Sequence, residues 1–121
     1  MNDINKSYEP VRKSDPNYWV HKEIIYTNHA IQRANERDLP IIKRMPSGVK
    51  IAHVETNLNT GRIDSVICKV DIGGKNFHLV LSSDGVVITT FIAGGTDYQK
   101  WMLSLSRRKN RTRNETTIFY G

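Results

Sequence analysis

IDSVICKVDIGGKNFHLVLSSDGVVITTFIA, residues 63–93, decides the fold. It holds three β-prone runs, Ile63–Ile72, Asn76–Leu81 and Val86–Ala93, separated by Gly73-Gly74 and by Ser82-Ser83-Asp84-Gly85. Both connections supply residues that tolerate positive φ, which tight hairpin turns require. Three strands joined by two hairpins make an antiparallel meander. Upstream, Val49, Ile51 and His53 alternate with Lys50, Ala52 and Val54, and Asn57–Gly61 supplies another turn. That alternation predicts a strand ahead of the three. Within NFHLVL, His78 shares a face with Asn76 and Val80. Thr89 and Thr90 point to opposite faces, since side chains alternate along a strand.

Working outward, the pattern becomes helical. YTNHAIQRANERDLP, Tyr26–Pro40, follows a short β-prone run at Glu23–Tyr26. Thr27 or Asn28 can cap a helix by accepting orphan backbone N–H bonds of its first turn. His29, Arg33 and Arg37 then fall at i, i+4 and i+8, one continuous row, while Ala30, Ile31 and Ala34 offer a packing face. Pro40 ends or restarts the helix, and PIIKRM reads as a second short helix ended by Pro46 and Gly48. On the other side, Gly94-Gly95 breaks the sheet and Thr96 or Asp97 caps a short helix, YQKWMLSL. Its Tyr98, Trp101, Met102 and Leu105 recur at three- and four-residue steps, the spacing of a packing face. Thr116–Tyr120 (TTIFY) can add a last strand.

The expected architecture is α+β, with N-terminal helices packed on an antiparallel meander of about four strands. At 121 residues, 38% apolar and 25% charged, the chain supports one domain. Its expected divisions are a polar N-terminal arm at 1–17, the domain at 18–106, and a basic C-terminal segment at 107–121. Tyr18, Trp19 and Val20 are the residues that would anchor the arm. No window approaches the apolar length of a membrane span, and MNDINKSYEP lacks a basic-then-apolar leader, so the expected site of action is cytoplasmic. Cys68 is the sole cysteine, which excludes an internal disulfide and an all-cysteine metal site.

The net charge of +6 is concentrated. RRKNRTR, residues 107–113, supplies five of those charges with no acid among them. A compact cluster of this kind suits an anionic partner, with nucleic acid favoured over membrane. Arg107, Arg108, Lys109, Arg111 and Arg113 are the candidate RNA contacts. The plain alternative is a solvated tail.

The His/Arg row suggests more specific chemistry. Histidine moves protons near neutral pH, and arginine grips a phosphate with a planar fork of donors. RNA cleavage without a metal needs a proton acceptor for the 2′-hydroxyl, a donor for the leaving oxygen and cations for the developing charge. His29, Arg33 and Arg37 are the helix candidates. His78, one of Thr89 and Thr90 (Thr90 being the candidate), and Tyr98 are those near the sheet. The competing reading makes the row a solvated face, with Glu36 and Asp38 pairing the arginines. No cofactor is expected, and no histidine pair has the spacing of a helical zinc motif.

The pattern His29-Ala30-x-x-Arg33-x-x-Glu36-Arg37-x-Leu39 resembles the signature of an uncharacterised bacterial domain family, His-Ala-x-x-Arg-Met-x-x-Arg-Gly-Ile. That family is similar to the barnase/EndoU/colicin/RelE-like group of small ribonuclease toxins. Ala34 and Asp38 depart from the pattern, which usually has a larger apolar residue and Gly there. The resemblance implies helices packed on an antiparallel sheet whose face carries the active site. It also implies an endoribonuclease toxin or toxin-like RNA-processing hydrolase acting on RNA, tRNA among the candidates, with an acidic immunity or antitoxin protein as partner. The alternatives are a non-catalytic nucleic-acid-binding protein and a small phage-type regulator of a host protein.

The basic run generates the first prediction. Each phosphate contact releases counterions, so log K for RNA should fall with log salt by about 0.7 per contact on single strands. Deleting residues 107–113 should flatten that slope in a salt titration of binding. An unchanged slope would mark the run as a solvated tail.

Overall fold

A computed structural model describes residues 12–57, 59–112 and 115–119, and the side chains among them through residue 104. The strands are β1 (Ile25–Tyr26), β2 (Lys50–Asn57), β3 (Ile63–Ile72), β4 (Lys75–Ser82), β5 (Val86–Ile92) and β6 (Glu115–Phe119). In space they run β1-β5-β4-β3-β2-β6. The expected meander is β2 to β5, each strand antiparallel to the next. At the β3–β4 hairpin Gly73 and Gly74 both take positive φ, 58° and 80°, as that turn demands.

The sheet is larger than expected and it is mixed. β6 adds antiparallel to β2, where TTIFY had suggested a strand. β1 adds at the opposite edge, parallel to β5, with Ile25 opposite Val86 and Tyr26 opposite Val87. Two residues carry no detectable period, so sequence alone could not place β1 in the sheet.

Alternation divides the sheet's side chains between two cores. Val66, Cys68, Val70, Phe77, Leu79, Leu81 and Val87 face one side, under Trp19, Ile24, Ala30, Ala34, Leu39, Met45 and Val49. Ile67, Val80 and Phe91 face the other, under Tyr98, Trp101 and Met102. Each large apolar side chain buried this way contributes about 1.5–3 kcal/mol. Cys68 is fully buried, and burial pushes its thiol well above the usual range, which suits a packing residue.

Among the described residues the helices delimited beside the sheet are α1 (Pro16–Trp19), α2 (Asn28–Glu36) and α3 (Thr96–Thr112). Asp15 caps α1 through its carboxylate, which accepts from the Asn17 N–H. The Trp19 indole N–H donates to the Lys13 carbonyl at 2.7 Å with the ring 1% exposed. Lys13 is thereby bonded to the domain through its carbonyl; residues 1–11 of the expected arm lie outside the described residues.

PIIKRM is not a helix. Its backbone runs extended beside residues 21–24, with Ile24 N–H donating to Lys43 O, Met45 N–H to Lys22 O and His21 N–H to Met45 O. Met45 is buried, and Pro46 disfavours a helical conformation at the residue before it. α3 departs in the other direction. It continues well past Leu105 because residues 98–112 contain no Gly or Pro and are rich in good helix formers. Most of the basic run is thus helical backbone, not a separate segment; the side chains of Arg107, Arg108, Lys109 and Arg111, and Arg113 entirely, lie outside the described residues. Among the described residues no helix is long and apolar enough to cross a membrane.

α2 begins as expected, with the Thr27 hydroxyl accepting from Ala30 N–H at 3.0 Å. Its end is a Schellman motif. Leu39 N–H reaches back to Ala34 O at 2.8 Å and Asp38 N–H to Asn35 O at 3.3 Å. Asp38 takes the left-handed conformation this needs, at φ 51°. Asp38→Val should lower stability by about 1–2 kcal/mol, the usual cost of left-handed backbone for a residue with a side chain. Asp38→Gly should be near neutral, relief of strain offsetting the lost ion pair with Lys75. Urea unfolding of both variants checks this.

Candidate functional site

β1 pairs with only the first two residues of β5, so the rest of that strand's outer edge is open. α2 covers it. Thr27 N–H donates to Val87 O at 3.0 Å, and the Thr27 hydroxyl to Ile88 O at 3.4 Å. At the far end of the helix, Arg37 Nη1 donates to Thr90 O at 2.7 Å. Ala30 and Ala34, both 0% exposed, let the helix backbone approach closely. This docking turns the His29, Arg33 and Arg37 row toward α3, and a cleft of about 330 Å³ lies between them. Thr89 and Phe91 of β5, with Asp97 and Trp101 of α3, complete its lining.

The charges in the cleft are already partnered. Arg33 Nη1 meets Glu36 Oε2 at 2.7 Å, and that hydrogen bond is the main cause of a lowered Glu36 carboxyl pKa. Both groups are well exposed, so water and salt screen the pair. Arg37 is far more enclosed, its side chain 17% exposed against 67% for Asp97, whose Oδ2 lies 3.7 Å from Arg37 Nη2. The Arg37 guanidinium also sits 4.7 Å from the Phe91 ring centre, a cation–π contact. Arg37 therefore links α2, β5 and α3. The competing solvated-face reading foresaw an acid for each arginine, but Asp38 pairs with Lys75, not with an arginine.

Of the catalytic candidates, His78, Tyr98 and Thr90 do not line this cleft. His78 and Tyr98 are brought together, their rings stacked at 3.9 Å and 6°. His78 is 6% exposed, its Nδ1 has no hydrogen-bond partner among the described residues, and burial, with help from Lys69 on the adjacent strand, lowers its pKa to about 4. It is neutral at pH 7 and packs α3 onto the sheet. Tyr98, itself pushed up by burial, meets Phe91 edge-on at 5.8 Å. Thr90 turns away: it is fully buried, and its hydroxyl donates to His78 O at 2.9 Å. Thr89, on the opposite face, is the threonine at the cleft, because alternation permits only one of the two there.

Asp97 and Trp101 are the cleft residues that sequence reasoning assigned other roles, a cap and a packing residue. They sit four apart on α3, the same spacing that revealed the α2 row. Among the described residues no three His, Cys, Asp or Glu side chains group as metal ligands. Compared with protein families, with curated proteins and with solved structures, the chain matches none.

The buried imidazole makes stability depend on pH. Folded His78 titrates near 4 against 6.5 for the free group, so the unfolded chain binds its proton first as pH falls. Its contribution is full above pH 6.5 and is lost between 6.5 and 4. Acidification across that window should cost on the order of 2–3 kcal/mol, at about 1.4 kcal/mol per pKa unit. His78→Gln should show a correspondingly flatter slope of unfolding free energy against pH, measured by denaturant titration.

Proposed function

We propose that the cleft between α2 and α3 is a phosphodiester site and that the protein is a metal-independent endoribonuclease, as the resemblance to the ribonuclease toxins implies. The observation that carries this reading is that His29, Arg33 and Arg37 line one open cleft with a carboxylate, Asp97, on the opposite wall. Two proton-transfer groups and two guanidinium groups in one cleft are the set that transesterification needs.

In the proposed step the 2′-hydroxyl oxygen attacks phosphorus as the bond from phosphorus to the 5′-oxygen breaks. Asp97, a carboxylate, takes the 2′-hydroxyl proton, and His29 in its protonated form gives a proton to the leaving 5′-oxygen. The product pair is a 2′,3′-cyclic phosphate and a free 5′-hydroxyl. Arg33, whose pairing with Glu36 is solvent-screened, exchanges that partner for a phosphate oxygen. The basic run on the same helix as Asp97 concentrates RNA nearby. A neutralising protein partner would be acidic where it meets the row, and added salt would weaken its inhibition.

One observation favours a second reading. Arg37 is engaged by Thr90 O, Phe91 and Asp97, which suits a structural strut. A cleft supported in this way could bind nucleic acid without cleaving it.

Incubating the protein with RNA in a chelator separates the two. Under the ribonuclease reading, His29→Ala should lose on the order of 10²–10⁴-fold in cleavage rate with an unchanged melting temperature. Arg33→Lys should also lose activity, because the charge stays but the bidentate fork goes. Arg37→Ala should lower activity and stability together, the latter by roughly 1.5–3 kcal/mol for a hydrogen bond from a charged group. Full cleavage by His29→Ala would remove this histidine from the chemistry.

A further inference from the structure

We propose that the cleft takes a single-stranded polynucleotide and that Trp101 is the platform on which the base beside the bound phosphate stacks. The proposal rests on the phosphate-site reading of the cleft but not on its catalytic step.

The two walls of the cleft differ in chemistry. α2 lines its side with His29, Arg33 and Arg37, groups that bind phosphate oxygens. On the α3 side Trp101, one helical turn from Asp97, supplies a ring of the kind on which a base stacks. A polynucleotide presents these two chemistries next to each other, phosphate then base. The volume, about 330 Å³, is near the low end of the ~300–1,000 Å³ typical of small-ligand sites. That is the scale of one small-ligand unit.

Which aromatic ring serves as the platform follows from occupancy. Phe91 is 5% exposed and hemmed in, with Arg37 over its ring at 4.7 Å and Tyr98 edge-on at 5.8 Å. Tyr98 has one face covered by His78 at 3.9 Å. Trp101 rests against Phe91 at 5.5 Å and 40°, which fixes its tilt, yet the residue is only half-buried and lines the cleft. The protein's other tryptophan, Trp19, is 1% exposed with its indole N–H bonded. Of Phe91 and Trp101, which both line the cleft, Trp101 is thus the one that packing leaves partly in water. In a duplex the base faces are already stacked on one another, so such a platform can act only on an unpaired strand, a loop or an end.

The test uses the full chain and a short 2′-O-methyl RNA, which cannot undergo 2′-hydroxyl attack, offered either single-stranded or annealed to its complement. Tryptophan fluorescence of the unmodified protein should be quenched by the single strand, with Trp101 responding and buried Trp19 silent. Trp101→Leu should weaken single-strand binding roughly 5- to 150-fold, about 1–3 kcal/mol per stacked base, and leave duplex binding unchanged. Trp101→Phe should retain most of the affinity. Unquenched fluorescence on saturation would overturn the proposal even if Trp101→Leu failed to fold. Equal binding of single strand and duplex, or undiminished single-strand affinity in a folded Trp101→Leu protein, would overturn it as well. If stacking is seen but unmodified RNA is not cut, the ribonuclease reading fails and this one stands. If RNA is cut with no dependence on Trp101, the reverse holds.

Discussion

The unpaired edge of β5 is the constraint on which the cleft depends. β1 supplies two residues of pairing, and beyond Val87 the strand's outer carbonyls need other donors. An exposed edge invites pairing with another chain, and here α2 closes it by bonding at both of its ends, through Thr27 and through Arg37. The helix can do so only because Ala30 and Ala34 are small. A larger side chain at either position, both 0% exposed, would push the helix off the strand and lengthen the 2.7 Å bond from Arg37. Ala34, fully buried under the helix, is a fitted contact.

The same geometry governs the electrostatics. Arg33 and Arg37 each sit against an acid, Glu36 and Asp97, so the helix row presents little uncompensated charge. Exposure separates these pairs. Arg33 and Glu36 are screened by water and can exchange partners, whereas the enclosed Arg37 holds a backbone carbonyl and a ring face and is costly to move. One row of like residues is in this way divided between a group available to a ligand and a group that braces the wall. On the far side of the sheet, His78 makes a parallel contribution: its neutral ring stacked on Tyr98 seats the first turns of α3, which carry Asp97 and Trp101 to the cleft.

Much of this was readable from residue spacing. Period-two alternation and the Gly73-Gly74 turn gave β3 and β4 to within a residue or so, and the i, i+4, i+8 spacing put His29, Arg33 and Arg37 on one line. Alternation also required that only one of Thr89 and Thr90 reach the cleft. It could not say which, because that depends on the face α3 covers and on the register shift between Val80 and Leu81 where β4 pairs with β5. His78 and Tyr98 were candidates for the chemistry by residue type, and tertiary packing instead stacks their rings on one another, off the cleft lining. PIIKRM had a helical composition, and tertiary pairing with residues 21–24 overrode it.

The sequence by itself determined the local elements: the meander, the capped α2 with its charged row, and the apolar stripe of α3. These follow from side-chain period, turn chemistry and capping, which act over a few residues. Only the tertiary structure decided that β1 pairs parallel with β5, that α2 covers the edge left open, and that Asp97 and Trp101 face the row. Those outcomes join residues about 50 to 70 positions apart through single hydrogen bonds and close contacts, and no local spacing encodes where an edge will remain unpaired.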